Sequence, residues 1–316
     1  MTTAMPAVPL GGSGIPVSRL ALGSWRTFER IGRDRGVSVM TAARDAGITF
    51  LDDARYNDET GHAPIPTGYS EVIFGRLFKA AGWDRDQTVV SNKLWWEFWP
   101  EQSPEQELVG SLGRMGLDHV DLIYSEPPPD SLSLDDAVGM ITGLISAGIA
   151  RAWGTLNWSG DLMEQAWQIA DRAGVPGPVA TQPPYSLVKR DAVENAGMRA
   201  VVAARNVAIV ASYALAGGVL TGKYDHDERA GRAAGQLASP GYRAGVTAGR
   251  KLAALANQTG HDPAQLAIAF ALNNPSVTTV LFGATRPQQI LDNVTALAVA
   301  DELTADQRRK LEAIGV

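Results

Sequence analysis

Eight short apolar segments recur along the chain, each separated from the next by a stretch of helical periodicity, and this alternation limits the fold more than any other feature. The segments are RLALGSW, ITFLDDA, TVVSNKLWW, VDLIYS, ARAWGTLNW, GPVATQPPY, VAIVASYAL and VTTVLFGA. Each is nearly apolar along its length rather than at every second position, which suits parallel strands covered on both faces. Between them, VSVMTAARDAGI, SEVIFGRLFKAAG, PEQELVGSLGRMG, LDDAVGMITGLISAG and DLMEQAWQIADRAG place apolar residues at i, i+3 and i+4. Each of these closes at a glycine (Gly47, Gly82, Gly116, Gly148, Gly174), the residue type that ends helices in left-handed backbone. Eight strands interleaved with helices predict an α/β fold, a closed (β/α)8 TIM barrel rather than an open doubly wound sheet. No G-x-G-x-x-G follows the first strand, which weighs against the dinucleotide-binding form of the open sheet. The lead PLGGSGIPVS reads as a short N-terminal hairpin over one end, and the segment after the eighth strand as extra C-terminal helices. Barrels reach this length as one unit, so residues 1–316 are expected to form a single domain.

Composition removes several function classes. A net charge of −6 with no basic run argues against a general nucleic-acid binder. Cysteine is absent, so disulfides, thiolate nucleophiles and cysteine metal sites are ruled out. The four histidines, His62, His119, His226 and His261, form no spaced ligand pair, and no metal is expected. No segment reaches the roughly 18 uninterrupted apolar residues of a membrane span, and the first residues lack a basic signal-peptide region. The expectation is a cytoplasmic protein with a small-molecule partner; the sequence leaves monomer against homo-oligomer open.

In a barrel of this kind chemistry gathers at the C-terminal ends of the strands. Those ends carry Ser24 and Trp25; Asp52 and Asp53, with Tyr56 just beyond; Lys93, followed by Trp95 and Trp96; Glu126; Asn157; Gln182; Ser212 and Tyr213; and Gly283, Ala284 and Thr285. In HVDLIYSEPPPD the glutamate Glu126 stands where an apolar strand stops, which alone reads as a solvated loop acid. Polar groups at every other strand mouth make a shared pocket the better reading. Within it a phenol beside an ammonium is a general-acid device. Free tyrosine has a pKa near ~10, a neighbouring lysine stabilises the phenolate, and an aspartate holds the lysine.

LALGSWRTF, DAGITFLDDA, SEVIFGRLFKAAGWDRD, VVSNKLWW, ARAWGTLNWS, TQPPYSLVKR, LAGGVLTGKY and LFGATRPQQILDN, in this order, carry a resemblance over essentially the whole chain. The chain resembles the aldo-keto reductases, nearest the branch that contains the potassium-channel β-subunits. The resemblance implies an NADP-dependent oxidoreductase that uses NADPH without a Rossmann fold, and an Asp-Tyr-Lys-His tetrad at the strand mouths. It assigns the Asp to Asp52, the Lys to Lys93 and the Tyr to Tyr56, although three residues separate Asp52 from Tyr56 where the family has four. The family histidine stands five residues after the aspartate of a VDL strand; counted from Asp121, that position holds Glu126. The steroid 5β-reductases of the family also carry Glu there, and the channel β-subunits also lack the His. A glutamate in a partly apolar pocket close to Asp52 is expected to hold its proton to higher pH than usual.

By the same resemblance Asn157 and Gln182 bind the nicotinamide carboxamide, and either Ser212 or Tyr213 stands at the stacking position. The run Leu215 to Gly218, including Gly217, is expected to approach the pyrophosphate with Lys223. Thr285, Gln289, Asp292 and Asn293 match adenosine-phosphate residues, with Arg286 placed for a 2′-phosphate. Ser24, Trp25 and Gly283 complete the cofactor side. The segment from Tyr224 to about Gly245 reads either as a belt over the cofactor or as a plain loop. Trp25, Trp95, Trp96 and Trp99 suggest a flat apolar substrate wall. Three functions stay open: hydride transfer to an activated C=C (enone) or C=N (imine) bond with Tyr56 and Glu126 as acids; ordinary aldehyde or ketone reduction; and an NADPH-binding sensor or channel-β-like regulator with little turnover.

Overall fold

The structure, a computed structural model, describes residues 5–225, 237 and 239–315. It opens with an antiparallel hairpin of β1 (Ala7–Pro9) and β2 (Pro16–Ser18). Eight further strands follow: β3 (Leu20–Gly23), β4 (Phe50–Asp52), β5 (Val89–Leu94), β6 (Val120–Ser125), β7 (Ala150–Leu156), β8 (Ala180–Gln182), β9 (Ala208–Ala211) and β10 (Val277–Phe282). They pair in parallel and in chain order, and β10 returns to β3 with Val280 opposite Leu20, which closes the barrel. Every residue of β3, β4, β5, β6, β8 and β9 is buried, as two-sided cover requires.

Two layers of core follow from this geometry. Ala21, Phe50, Leu122, Tyr124, Ala152, Ala180, Ala208 and Val210 fill the barrel interior, together with Leu10, Ile15 and Val17 of the hairpin. A Cβ on Gly11 would lie 2.3 Å from the Val179 carbonyl oxygen, so the hairpin backbone presses against the N-terminal ends of β8 and β9. The hairpin is thus a plug at the N-terminal mouth and leaves the opposite mouth for the site. A larger layer lies between strands and helices, with Met40, Phe74, Leu108, Ile141, Trp153 and Ile268 among its buried members. Each such side chain contributes roughly 1.5–3 kcal/mol on burial.

The helix after β5 shows how local sequence fixes an element. Ser103 caps Pro104–Met115 by accepting from Gln106 N while Gln106 Oε1 accepts from Ser103 N at 2.9 Å, and Gly116 ends the helix at φ 69°. It meets the helix Tyr69–Ala80 backbone to backbone, since a Cβ on Gly75 would lie 1.9 Å from the Met115 carbonyl oxygen. The first helix, Arg33–Asp45, begins four residues before the periodic segment starting at Val37. Its first turn, Arg33 to Arg35, holds only charged residues and so leaves no apolar trace in the sequence. The expected C-terminal helices are Pro287–Val294, Ala296–Glu302 and Ala305–Glu312. Of the expected belt, residues 226–236 and 238 lie outside the described residues, and from Pro240 the chain is helix to Thr259, not loop. Among the described residues no helix is long and apolar enough to cross a membrane.

Candidate active site

Lys93 organises the C-terminal mouth. Its Nζ donates to Asp52 Oδ2 at 2.7 Å, to Tyr56 OH at 3.2 Å and to the Asp53 carbonyl at 3.4 Å. The parallel register brings this about: Asp52 pairs with Ser91, and Lys93 stands two residues further along β5, on the same face. Ser91 Oγ and Gln182 Nε2 both donate to Asp52 Oδ1, at 2.7 and 3.1 Å. Both members of the Asp52–Lys93 pair are almost fully buried, so water cannot loosen it, and the extra donors satisfy the second carboxylate oxygen. Tyr56 reaches Lys93 despite its short connection because the turn is pinned. Its N–H donates to the Ala54 carbonyl at 3.0 Å and to Ser70 Oγ, while Ser70 Oγ donates to the Ala54 carbonyl at 2.8 Å.

Glu126 leaves the end of β6, its N–H donating to the Leu94 carbonyl at 3.0 Å. It is half-buried, and burial pushes its carboxyl above the ordinary glutamate range while a bond from Asn157 Nδ2 to its Oε1, at 2.9 Å, pulls the other way. The direction is that expected from sequence; of the two causes expected, burial acts here and the charge of Asp52 does not. The arrangement joins a phenol on an ammonium to a carboxyl that holds its proton to higher pH than free glutamate. Chemically it can protonate an acceptor from either of two groups.

Asp53, read from sequence only as a neighbour of Asp52, is fully buried behind this cluster. Ser24 Oγ donates to its Oδ1, and its Oδ2 has no hydrogen-bond partner among the described residues. Burial, reinforced by the charge of Glu71, raises its carboxyl well above the usual range. Glu71 is itself held by Arg114 Nε at 2.6 Å and Asn92 Nδ2 at 2.9 Å. The folded state therefore retains a proton that the unfolded chain releases near pH ~4. That contribution is complete below the unfolded-state pKa and is lost as pH rises through the folded-state pKa. Asp53→Asn, neutral at every pH, should melt above the wild type by about 4 °C or more near pH 8. The gap should shrink near pH 4.5; thermal scans showing the same gap at both pH values would contradict a protonated Asp53.

On the cofactor side, Leu215, Gly217 and Gly218 lie in a tight loop after β9, with Gly217 at φ 69° and Gly218 at φ 94°. A Cβ on Gly218 would stand 2.7 Å from Lys223 Nζ, so the bare backbone lets the ammonium close over the loop, and Tyr242 lies against Gly217. The Gly218 N–H donates to the Leu215 carbonyl at 2.8 Å, and the two bare glycines beside an ammonium suit the close approach of a pyrophosphate. Ser212 Oγ donates to the Pro183 carbonyl, while Tyr213, at φ 59°, has Lys189 Nζ 5.0 Å from its ring centre; both candidates for the stacking position remain. Beyond β10, Gln289 Oε1 accepts from the backbone N–H groups of Thr285, at 2.8 Å, and Arg286, at 3.1 Å. Gln289 thereby caps the helix Pro287–Val294. Arg286 and Gly283 are exposed, Asp292 is half-buried and bonded to Gln288, and Asn293 is buried. Asn157 and Gln182, expected on the carboxamide, both turn their amides onto carboxylates, Glu126 and Asp52. The donor set and the glycine cradle fit a nicotinamide dinucleotide.

The aromatic wall is narrower than the sequence suggests. Trp25, Tyr56 and Trp95 form a row, with ring centres 6.5 and 6.1 Å apart. Trp96 instead is buried, its indole N–H donating to Ser125 Oγ at 3.0 Å and to the Glu126 carbonyl at 3.1 Å, with Trp99 edge-on to it. These two prop the end of β6 rather than line the row. Sequence reading missed Ser91, Arg55 and Glu107, and gave Asp53 no role beyond its place at the strand end. Arg55 sits inside DARYN and could have drawn notice, but Glu107 looks like any acid in the first turn of a surface helix.

The profile of the Aldo/keto reductase family matches residues 19–315. The chain is 33% identical to a "Probable voltage-gated potassium channel subunit beta" of Oryza sativa subsp. japonica, over 96% of this chain and 95% of that protein. It is likewise 33% identical to a "Putative voltage-gated potassium channel subunit beta" of Schizosaccharomyces pombe, over 96% and 92%. A "Probable voltage-gated potassium channel subunit beta" of Arabidopsis thaliana is 31% identical over 96% and 95%. The chain belongs to the aldo/keto reductase family and is a nicotinamide-dependent oxidoreductase of that type.

Proposed function

We propose that the chain is an NADPH-dependent reductase of an activated C=C or C=N bond in a hydrophobic or ring-containing small molecule, acting in the cytoplasm as a single domain. The observation that carries this reading is Glu126, a half-buried carboxyl that burial pushes above the ordinary glutamate range, bonded to Asn157 at the mouth that also holds Tyr56 and Lys93. When bound, the nicotinamide supplies the hydride. Lys223 and the backbone of Leu215, Gly217 and Gly218 would hold the pyrophosphate, and Thr285, Gln289, Asp292 and Asn293 the adenosine end. Arg286, exposed beside them, favours a 2′-phosphate and hence NADPH. Trp25 and Trp95, tilted to the Tyr56 ring by 44° and 60°, offer apolar ring surfaces to the acceptor.

The chain's own groups then move protons. Tyr56 gives its proton to the atom on which negative charge develops, and Lys93, held by Asp52, stabilises the phenolate left behind. With an enone or imine acceptor Glu126, in its neutral form, supplies that single proton to the enone oxygen or the imine nitrogen in place of Tyr56. Two observations support other readings. The intact Asp52–Lys93–Tyr56 contact suits ordinary aldehyde or ketone reduction, and the names of the relatives suit a nucleotide-binding channel partner with slow turnover. NADPH oxidation should be followed with three matched panels (aldehydes and ketones, α,β-unsaturated ketones, cyclic imines) with product analysis. Turnover concentrated on the last two panels is the expected result. Turnover on carbonyls alone makes Glu126 a tolerated substitution, and tight NADPH binding without turnover favours the regulatory reading.

A further inference from the structure

Arg55 is a buried arginine inside the three-residue connection between Asp52 and Tyr56, 5% exposed, and no step above uses it. Its guanidinium is the junction of three elements. Nη1 donates to Thr67 Oγ1 at 3.0 Å, across the bridge where Thr67 pairs with Asn57 and returns the β4 loop to the barrel. The same nitrogen donates to Glu97 Oε2 at 2.8 Å, and Nη2 to Glu107 Oε1 at 3.3 Å, while the plane lies 4.9 Å from the Phe98 ring centre. Glu107 Oε1 also accepts from Trp95 N at 3.0 Å. One fork therefore fastens the loop that carries Tyr56 to the loop that carries Trp95, Glu97 and Phe98. A buried guanidinium is costly unless paired, and pairing it here ties down the two loops that form the aromatic row.

We propose that Arg55 is the positioning residue of this site: by clamping the β4 loop to Glu97 and Glu107 it holds the Tyr56 hydroxyl on Lys93 and sets the gap between Tyr56 and Trp95. The inference rests on Tyr56 being the acid, as proposed above. It acts through that phenol and touches no reacting atom. The physical reason is leverage. Tyr56 follows Arg55 directly, so rotation of the Arg55 backbone swings the phenol away from Lys93, and a misplacement of about 1 Å is enough to cost on the order of 100-fold in rate.

A double-mutant cycle on the full-length protein tests this. Arg55→Met, Tyr56→Phe and the double variant are assayed with NADPH and the fastest aldehyde or ketone of the carbonyl panel, where Tyr56 is the acid, with NADPH affinity read by quenching of intrinsic tryptophan fluorescence. Arg55→Met should lower kcat by about 100-fold, leave NADPH affinity unchanged, and add no more than about 2-fold in the Tyr56→Phe background. Losses that multiply, or wild-type kcat in Arg55→Met, would overturn the proposal. If Arg55→Met does not fold, Glu97→Ala removes one arm of the clamp from a half-exposed partner. It should reduce kcat about 10-fold in the wild-type background and not in Tyr56→Phe, and equal losses in both would overturn the clamp. Arg55→Lys keeps the charge but not the fork, and should restore less than about a tenth of the lost rate; full rescue would show that charge, not the two-armed geometry, matters. A Tyr56→Phe variant with undiminished kcat defeats the reading of Tyr56 as acid before the cycle is closed, so the two failures are told apart by that single variant.

Discussion

Tyr56→Phe should reduce carbonyl turnover by about 100- to 10,000-fold while NADPH affinity stays at the wild-type level. The change removes one oxygen, the atom 3.2 Å from Lys93 Nζ, and leaves the ring against Trp25 and Trp95. Packing and the aromatic row are therefore kept, and the lost rate reports the proton alone. Lys93→Met should produce a similar loss of rate by a different route, because the phenol remains but its conjugate base loses the ammonium beside it. That variant also leaves Asp52 buried with only Ser91 and Gln182 as donors, so it should unfold more easily, by about 3–5 kcal/mol. The pair thus separates chemistry from stability: Tyr56→Phe loses rate without loss of melting temperature, and Lys93→Met loses both. On enone and imine acceptors the Tyr56→Phe loss should be smaller, since Glu126 stands ready with a second proton. Undiminished turnover on all panels would move the acid role wholly to Glu126.

Much of this site was legible because it rests on strand ends. A parallel barrel fixes which mouth is used, and counting residues past each apolar run brings Asp52, Lys93, Glu126, Asn157 and Gln182 to that mouth. The glycine-rich run before Lys223 was legible for a related reason, since left-handed backbone, as at Gly217 and Gly218, favours glycine and glycine shows in the sequence. What stayed hidden depends on side chains meeting across elements. Periodicity cannot say that Glu107 turns from a helix to hold Trp95 and Arg55, because its position in the first turn explains it already. Nor can it tell which of four neighbouring aromatics face the pocket: Trp95 does and Trp96 does not, because Trp96 takes a left-handed backbone that sends its indole to Ser125. Asn157 and Gln182 were expected to face a carboxamide, and their bonds to Glu126 and Asp52 reflect carboxylates that lie within reach of the same amides.

Glu126 carries the second large effect, and its sign follows from which form is active. As a donor it must be protonated, so turnover of a neutral enone should be full at low pH and fall as pH rises through its pKa, which burial has moved upward. An enone is the right probe, because an imine gains its own proton over the same range and would imitate the limb. Glu126→Gln keeps the shape and the contact with Asn157 but has no proton to give. It should lower enone turnover by about 100-fold and abolish the pH limb, leaving a flat profile set by Tyr56. Glu126→His replaces a slim acid with a bulkier ring that orients a carbonyl, and should shift the ratio of C=O to C=C reduction by at least about 10-fold, equivalent to about 1.4 kcal/mol between the two transition states. The three outcomes are distinct. A flat profile with lost enone turnover in Glu126→Gln, and a shifted ratio in Glu126→His, assign reaction type to this carboxyl. An unchanged ratio in Glu126→His sinks that assignment, whatever the absolute rates. A rise on every panel in Glu126→His would mean that the native glutamate restrains the site, as the regulatory reading requires.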